Sequence, residues 1–142
     1  MLTLPFWLKL PHMSFERPIL VVEDDSDTRF LYSEVLHSEG YEVLEASDGK
    51  SALEVLKKNP SVGLILLDLT MPGMSASDFL KEQKEAVGSK MIPVITISGR
   101  SDTQAQSTTM GADDFLLKPF DIEQLVDKVK NWTFSSSSGL SH

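Results

Sequence analysis

Four short stretches carry the side chains that could do chemistry: Glu23-Asp24-Asp25, Asp68, Ser98-Gly99 and Lys118-Pro119. Each follows an apolar run, namely Ile19-Leu20-Val21-Val22, Leu64-Ile65-Leu66-Leu67, Val94-Ile95-Thr96-Ile97 and Phe115-Leu116-Leu117. Short apolar runs of this kind, the second bracketed by Gly63 and the breaker Met71-Pro72-Gly73, read as strands buried on both faces. An ionised carboxylate at the end of a buried strand is costly unless a cation or strong donors receive it. Two strands that both end in acids imply one shared pocket, which needs a metal ion or a lysine to hold it together. The strand ends together supply acids, a hydroxyl and a lysine, and that set suits acyl-phosphate chemistry. A carboxylate attacks a phosphoryl donor, Mg2+ bridges carboxylate and phosphoryl oxygens, and lysine and hydroxyl neutralise the remaining oxygens.

The elements that must position these groups alternate along the chain. Strand candidates cover 18–23, 41–45, 63–68, 92–97 and 113–117, and helix candidates cover 26–38, 48–58, 75–86, 101–110 and 121–132. The first helix carries Thr28, Leu31 and Val35 as its apolar face, is capped by Asp25 or Ser26, and stops at Gly40. The second has Ala52, Leu53, Val55 and Leu56 in its stripe and closes before Pro60. The fifth spaces Ile122, Leu125, Val126 and Val129 three and four apart. The helix candidate over 101–110 holds serine and threonines with few strong helix formers, and is expected to be polar and marginal. Five βα units in succession imply an α/β fold with a parallel sheet, right-handed crossovers and helices on both faces. In such sheets, ligands bind at the carboxyl ends of the strands.

Composition narrows the function classes. A chain of 142 residues with 41% hydrophobic content builds one ordinary core. A net charge of −8 argues against direct binding to nucleic acid or to an anionic membrane surface. Cysteine is absent, which removes disulfides, thiolate zinc sites and cysteine nucleophiles and fits a cytoplasmic location. No apolar stretch approaches the roughly 20 residues of a membrane span. Residues 1–16 form an N-terminal extension whose apolar part, with Phe6 and Trp7, is broken by Pro5 and closed by Pro11. It reads as a cloning-vector addition or misassigned start before Met13, with a docking segment as the rival reading. Residues 133–142, rich in serine, are expected to form a flexible tail.

The motifs stand in the order and spacing of a known family: Val22-Glu23-Asp24-Asp25, Leu67-Asp68-Leu69-Thr70-Met71-Pro72-Gly73-Met74, Ser98-Gly99, and Asp113-Asp114-Phe115-Leu116-Leu117-Lys118-Pro119-Phe120. Over 17–132 the chain resembles a receiver domain of two-component response regulators. The resemblance implies a flavodoxin-like (βα)5 three-layer sandwich with strand order 2-1-3-4-5. It makes Asp68 the phospho-acceptor and Asp24 the main acidic Mg2+ ligand. Glu23 acts through a bound water, and the backbone carbonyl of Thr70 supplies a third protein ligand. Ser98 is then the hydroxyl that swings inward onto the phosphoryl group, Lys118 pairs with one of its oxygens, and the Lys118-Pro119 peptide is cis. Phe115 takes the place of a switch aromatic, although it also reads as a plain core aromatic.

The implied partner is a histidine kinase or histidine phosphotransfer protein, with a downstream protein that reads the surface of the 101–110 helix, the fifth strand and the fifth helix. That surface is expected to be polar apart from Phe115. Catalysis is confined to the chain's own phosphorylation and dephosphorylation. Gln104 and Thr109 stand where the winged-helix subfamily usually carries charges for its dimer, so a monomer or a weak phosphorylation-dependent dimer is expected. An alternative is a haloacid-dehalogenase-type phosphatase using Asp68 as nucleophile, but its motif needs an aspartate where Thr70 stands.

Overall fold

The computed structural model describes residues 17–69, 75–86, 92–99 and 111–138. Thr70, the helix candidate over 101–110 and the whole N-terminal extension over 1–16 lie outside them. Among the described residues, five strands form one sheet: β1 Ile19–Val22, β2 Val43–Ala46, β3 Leu64–Asp68, β4 Val94–Ser98 and β5 Asp114–Leu117. Every pairing is parallel, and the order is β2-β1-β3-β4-β5. The central strands β1, β3 and β4 are buried along their whole length. Parallel strands covered on both faces require such unbroken apolar runs.

Four helices are described: α1 Ser26–Ser38, α2 Gly49–Lys58, α3 Ala76–Ala86 and α4 Ile122–Ser138. Alternation along the strands divides the core into two layers. Leu20, Val22, Ile65 and Leu67 pack with Ala52 and Leu56 of α2 and Phe79 and Leu80 of α3. Ile19, Val21, Leu64 and Leu66 pack with Tyr32 and Leu36 of α1 and Leu125 and Val129 of α4. The result is the expected three-layer flavodoxin-like sandwich.

Local chemistry explains the ends of α1. The Asp25 carboxylate accepts from the Thr28 N–H at 2.8 Å, which fixes the N-cap. At the other end Gly40 adopts φ +96°, its N–H donates to His37 O, and the Tyr41 N–H donates to Leu36 O. That double bond is a Schellman closure, and the positive φ favours glycine. The expected stripe of α1 is corrected by the packing. Its buried face is Tyr32, Ser33 and Leu36, while Leu31 is 48% exposed beside Phe30 at 61%. Tyr32 and Leu36 are one helical turn apart, and Tyr32 also meets the Phe120 ring at 6.0 Å, so the neighbouring row turns outward.

The C-terminal boundary also differs from the expected one. α4 continues six residues beyond 132, through most of the serine stretch. Three contacts hold this turn. Trp132 Nε1 donates to Asp114 Oδ2 at 2.8 Å, the Tyr41 and Thr133 hydroxyls meet at 2.7 Å, and Lys130 pairs with Glu39 at 3.1 Å. Thr133 is buried, so it belongs to the core rather than to a tail.

Candidate functional site

The sheet register brings the chemical groups to one edge. Val22 pairs with Leu67, so Glu23 and Asp68 stand one step beyond on adjacent strands. Asp68 pairs with Ile97, Ser98 pairs with Leu117, and Lys118 follows directly, its N–H donating to Ser98 O at 2.8 Å. Residues separated by nearly a hundred positions are thereby aligned across the carboxyl ends of four strands.

Carboxylate oxygens of Glu23, Asp24 and Asp68 all lie within 4.8 Å of one another. Glu23 and Asp68 are buried, whereas Asp24 faces solvent. Lys118 Nζ lies 3.9 Å from Asp68 Oδ2 and 3.9 Å from Glu23 Oε1. Glu23 Oε2 accepts from the Asp25 N–H at 3.1 Å, while Oε1 is buried without a hydrogen-bond partner. A buried carboxylate oxygen in that condition calls for a cation. The donor set is oxygen only and grouped at one point, so the residues fit a hard divalent ion such as Mg2+.

The electrostatics carry the mark of crowding. Burial pushes the Glu23 carboxyl up from 4.5 to about 7; the Asp25 N–H opposes the rise and neighbouring Asp68 adds to it. Tyr32, packed beneath the pocket, is pushed up to about 12 by burial and then by the negative charges of Glu23 and Asp68. Neither Tyr32 nor Arg29, which donates to the Glu23 carbonyl at 2.8 Å, was marked by the sequence as part of this neighbourhood. Side-chain contacts to a backbone carbonyl leave no spacing pattern to read.

Glu23, Asp24, Asp68 and Lys118 are brought together as expected, and the Lys118-Pro119 peptide is cis. Ser98 ends β4 and is fully buried beside the pocket edge. Phe115 is half-buried, with Lys128 Nζ 5.9 Å from its ring centre. The β5 face exposes Leu117, at 42%, beside the half-buried Phe115, so it is less polar than expected. Among the described residues, no helix is long and apolar enough to cross a membrane.

A family model for the response regulator receiver domain matches residues 19–130. The chain belongs to that family. Sporulation initiation phosphotransferase F of Bacillus subtilis is 36% identical over 115 residues, covering 80% of this chain and 91% of that protein. The phosphate regulon transcriptional regulatory protein PhoB of Escherichia coli is 38% identical over 116 residues, 80% of this chain and 50% of its own length. The uncharacterized transcriptional regulatory protein YrkP of Bacillus subtilis is 40% identical over 113 residues, 78% of this chain and 47% of that one. The chain thus spans about half the length of these two regulators. The crystal structure of chemotaxis protein CheY4 of Vibrio cholerae matches with a TM-score of 0.75 at 28% identity, covering 82% of this chain and 98% of that one. This receiver domain is therefore a module of two-component signal transduction, a class that interacts with histidine kinases or phosphotransfer proteins. The dehalogenase-type phosphatase reading finds no support.

Proposed function

We propose that this receiver domain accepts a phosphoryl group on Asp68 and passes on a change of shape. The observation that carries the reading is the buried Asp68 carboxylate, grouped with Glu23 and Asp24 and facing Lys118 at 3.9 Å. An oxygen of Asp68 bonds to phosphorus as the bond from phosphorus to the imidazole nitrogen of a phosphohistidine breaks, and the electron pair leaves with the imidazole. Lys118 balances charge on the phosphoryl oxygens, and the buried Ser98 hydroxyl donates to one of them. Mg2+, held by Glu23, Asp24, Asp68 and the Thr70 carbonyl, would supply the charge screening that lets an anionic donor approach three acids. Hydrolysis of the acyl phosphate resets the chain, so its catalysis concerns only itself. Strand β5, with Phe115 and Leu117, and helix α4 form the surface that a downstream protein reads, in a cytoplasmic setting.

The test uses acetyl phosphate with Mg2+ and intact mass spectrometry. The parent chain should gain one base-labile phosphoryl group, and Asp68→Asn should gain none. Labelling that persists in Asp68→Asn moves the acceptor elsewhere.

A further inference from the structure

Arg29 takes no part in the chemistry above, yet its contacts end on the acidic pocket. Its Nη1 donates to the Glu23 carbonyl at 2.8 Å, and its Nε donates to Glu45 Oε1 at 3.1 Å. Glu45 stands on the edge strand β2, in register with Val21 of β1. The guanidinium therefore reaches from α1 over the end of β1 and is anchored on β2. The side chain of Arg29 is 20% exposed and that of Glu45 43%. The partly buried contact to the Glu23 carbonyl is therefore the stronger of the two, and the solvated ion pair to Glu45 serves mainly to orient the guanidinium.

The polar atoms of Glu23 show what this achieves. Its N–H donates to Ala46 O at 3.1 Å, its carbonyl receives Arg29, and Oε2 accepts from the Asp25 N–H. Only Oε1 has no hydrogen-bond partner, and Oε1 is the atom 3.9 Å from Lys118. Three of the four polar atoms of this residue are fixed so that the fourth is presented to the pocket. The Arg29 fork holds two acceptors that lie in different directions, which a lysine ammonium on a flexible stem does not reproduce.

We propose that Arg29 is a positioning residue for the divalent cation. By tying the Glu23 carbonyl to Glu45, it fixes where Glu23 Oε1 stands and thereby sets the affinity of the acidic cluster. The proposal rests on the reading that Glu23, Asp24 and Asp68 take Mg2+. Charge alone predicts the opposite sign, because a cation beside the pocket repels Mg2+ and its removal should tighten binding.

The experiment titrates Mg2+ into the full chain, follows amide NMR shifts, and compares the parent with Arg29→Ala and Arg29→Lys. Thermal unfolding in EDTA serves as the fold control. Arg29→Ala should bind Mg2+ about tenfold more weakly, the low end of losses seen on removing groups that orient metal ligands. Arg29→Lys keeps the charge and should still bind more weakly than the parent. A purely structural role would lower the melting temperature equally with and without Mg2+ and leave affinity alone. Unchanged or tighter binding in Arg29→Ala, or parental binding in Arg29→Lys, overturns the proposal. A parent that binds no Mg2+ overturns the reading of the acidic cluster itself, and the proposal with it.

Discussion

Lys118 faces Asp68 at 3.9 Å across the edge of the sheet, beyond hydrogen-bonding distance but well within reach of its charge. The same ammonium lies equally far from Glu23 Oε1, so it serves two buried carboxylates and satisfies neither. With Asp24 beside them, the pocket keeps an excess of negative charge that a small divalent ion can relieve.

Mg2+ should therefore stabilise the fold by mass action. At ten times its Kd the gain is about 1.4 kcal/mol, which raises the melting temperature by a few degrees. Asp24→Ala should lose most of that gain while its Mg2+-free stability stays within about 0.5 kcal/mol of the parent, because Asp24 is exposed. Thermal unfolding across a Mg2+ series reads both quantities.

Stability of the metal-free chain should fall as pH rises from about 4.5 to about 7. The folded chain holds the Glu23 proton up to about 7, while the unfolded chain has released it by about 4.5. Between those values the native state binds more protons, so the slope of stability against pH is negative there and levels off above. Urea unfolding in EDTA between about pH 5 and pH 8 measures this. Glu23→Gln should flatten the profile, and saturating Mg2+ should offset the loss near neutrality because the ion displaces the proton.

The hydrogen bond between Tyr41 and Thr133 should be worth more to stability than the expected place of Thr133 in a flexible tail suggests. Both residues are buried. Thr133→Val leaves the Tyr41 hydroxyl short of this partner and should cost about 1–3 kcal/mol. Adding Tyr41→Phe to it should cost much less than the two single losses summed. A full additive loss in the double-mutant cycle would mean that the two hydroxyls act independently.

Asp114 should behave as the anchor of the β5–α4 face. Its carboxylate accepts from the Phe115 N–H at 2.8 Å, Lys128 Nζ at 3.2 Å and Trp132 Nε1 at 2.8 Å. Burial pushes this carboxyl up, but those three donors outweigh it and hold it below its ordinary range. Its stabilising contribution is present above the unfolded pKa and is lost as pH falls further. Asp114→Ala should destabilise by about 1–3 kcal/mol and shift the Trp132 indole N–H resonance. Asp114→Asn, which can still accept from the indole, should shift that resonance less.

The sheet was legible because parallel strands covered on both faces leave unbroken apolar runs, and the limits 26–38 of α1 followed from Asp25 and Gly40. What escaped was decided by tertiary contact. The rows Leu31–Val35 and Tyr32–Leu36 lie side by side on one helix, and only packing against β1 and Phe120 selects the second. β2 begins at Val43 rather than 41 because the Tyr41 N–H is spent on Leu36 O in the helix closure. The serine stretch reads as linker by composition, yet α4 runs through it from an anchor set by Thr133, 92 residues from Tyr41. The acids and the lysine of the site were legible by type and place, whereas the hold of Arg29 on Glu23 was not, since it ends on a backbone atom.

The central place of β1 in the sheet bears on the order of assembly. Strands β2, β1 and β3 complete their mutual pairing within residues 19–68, and all three acids of the pocket belong to that half. Lys118 arrives only with β5, through a β4 that itself needs β3 as template. A nucleus built from the first three strands must close like charges on one another before their lysine is in place, a kinetic penalty on top of the slowness of non-local parallel pairing. Refolding in stopped flow should accelerate when Mg2+ is added, and Asp24→Ala should blunt the acceleration. A refolding rate indifferent to Mg2+, with unfolding slowed instead, would place closure of the acidic cluster after the barrier.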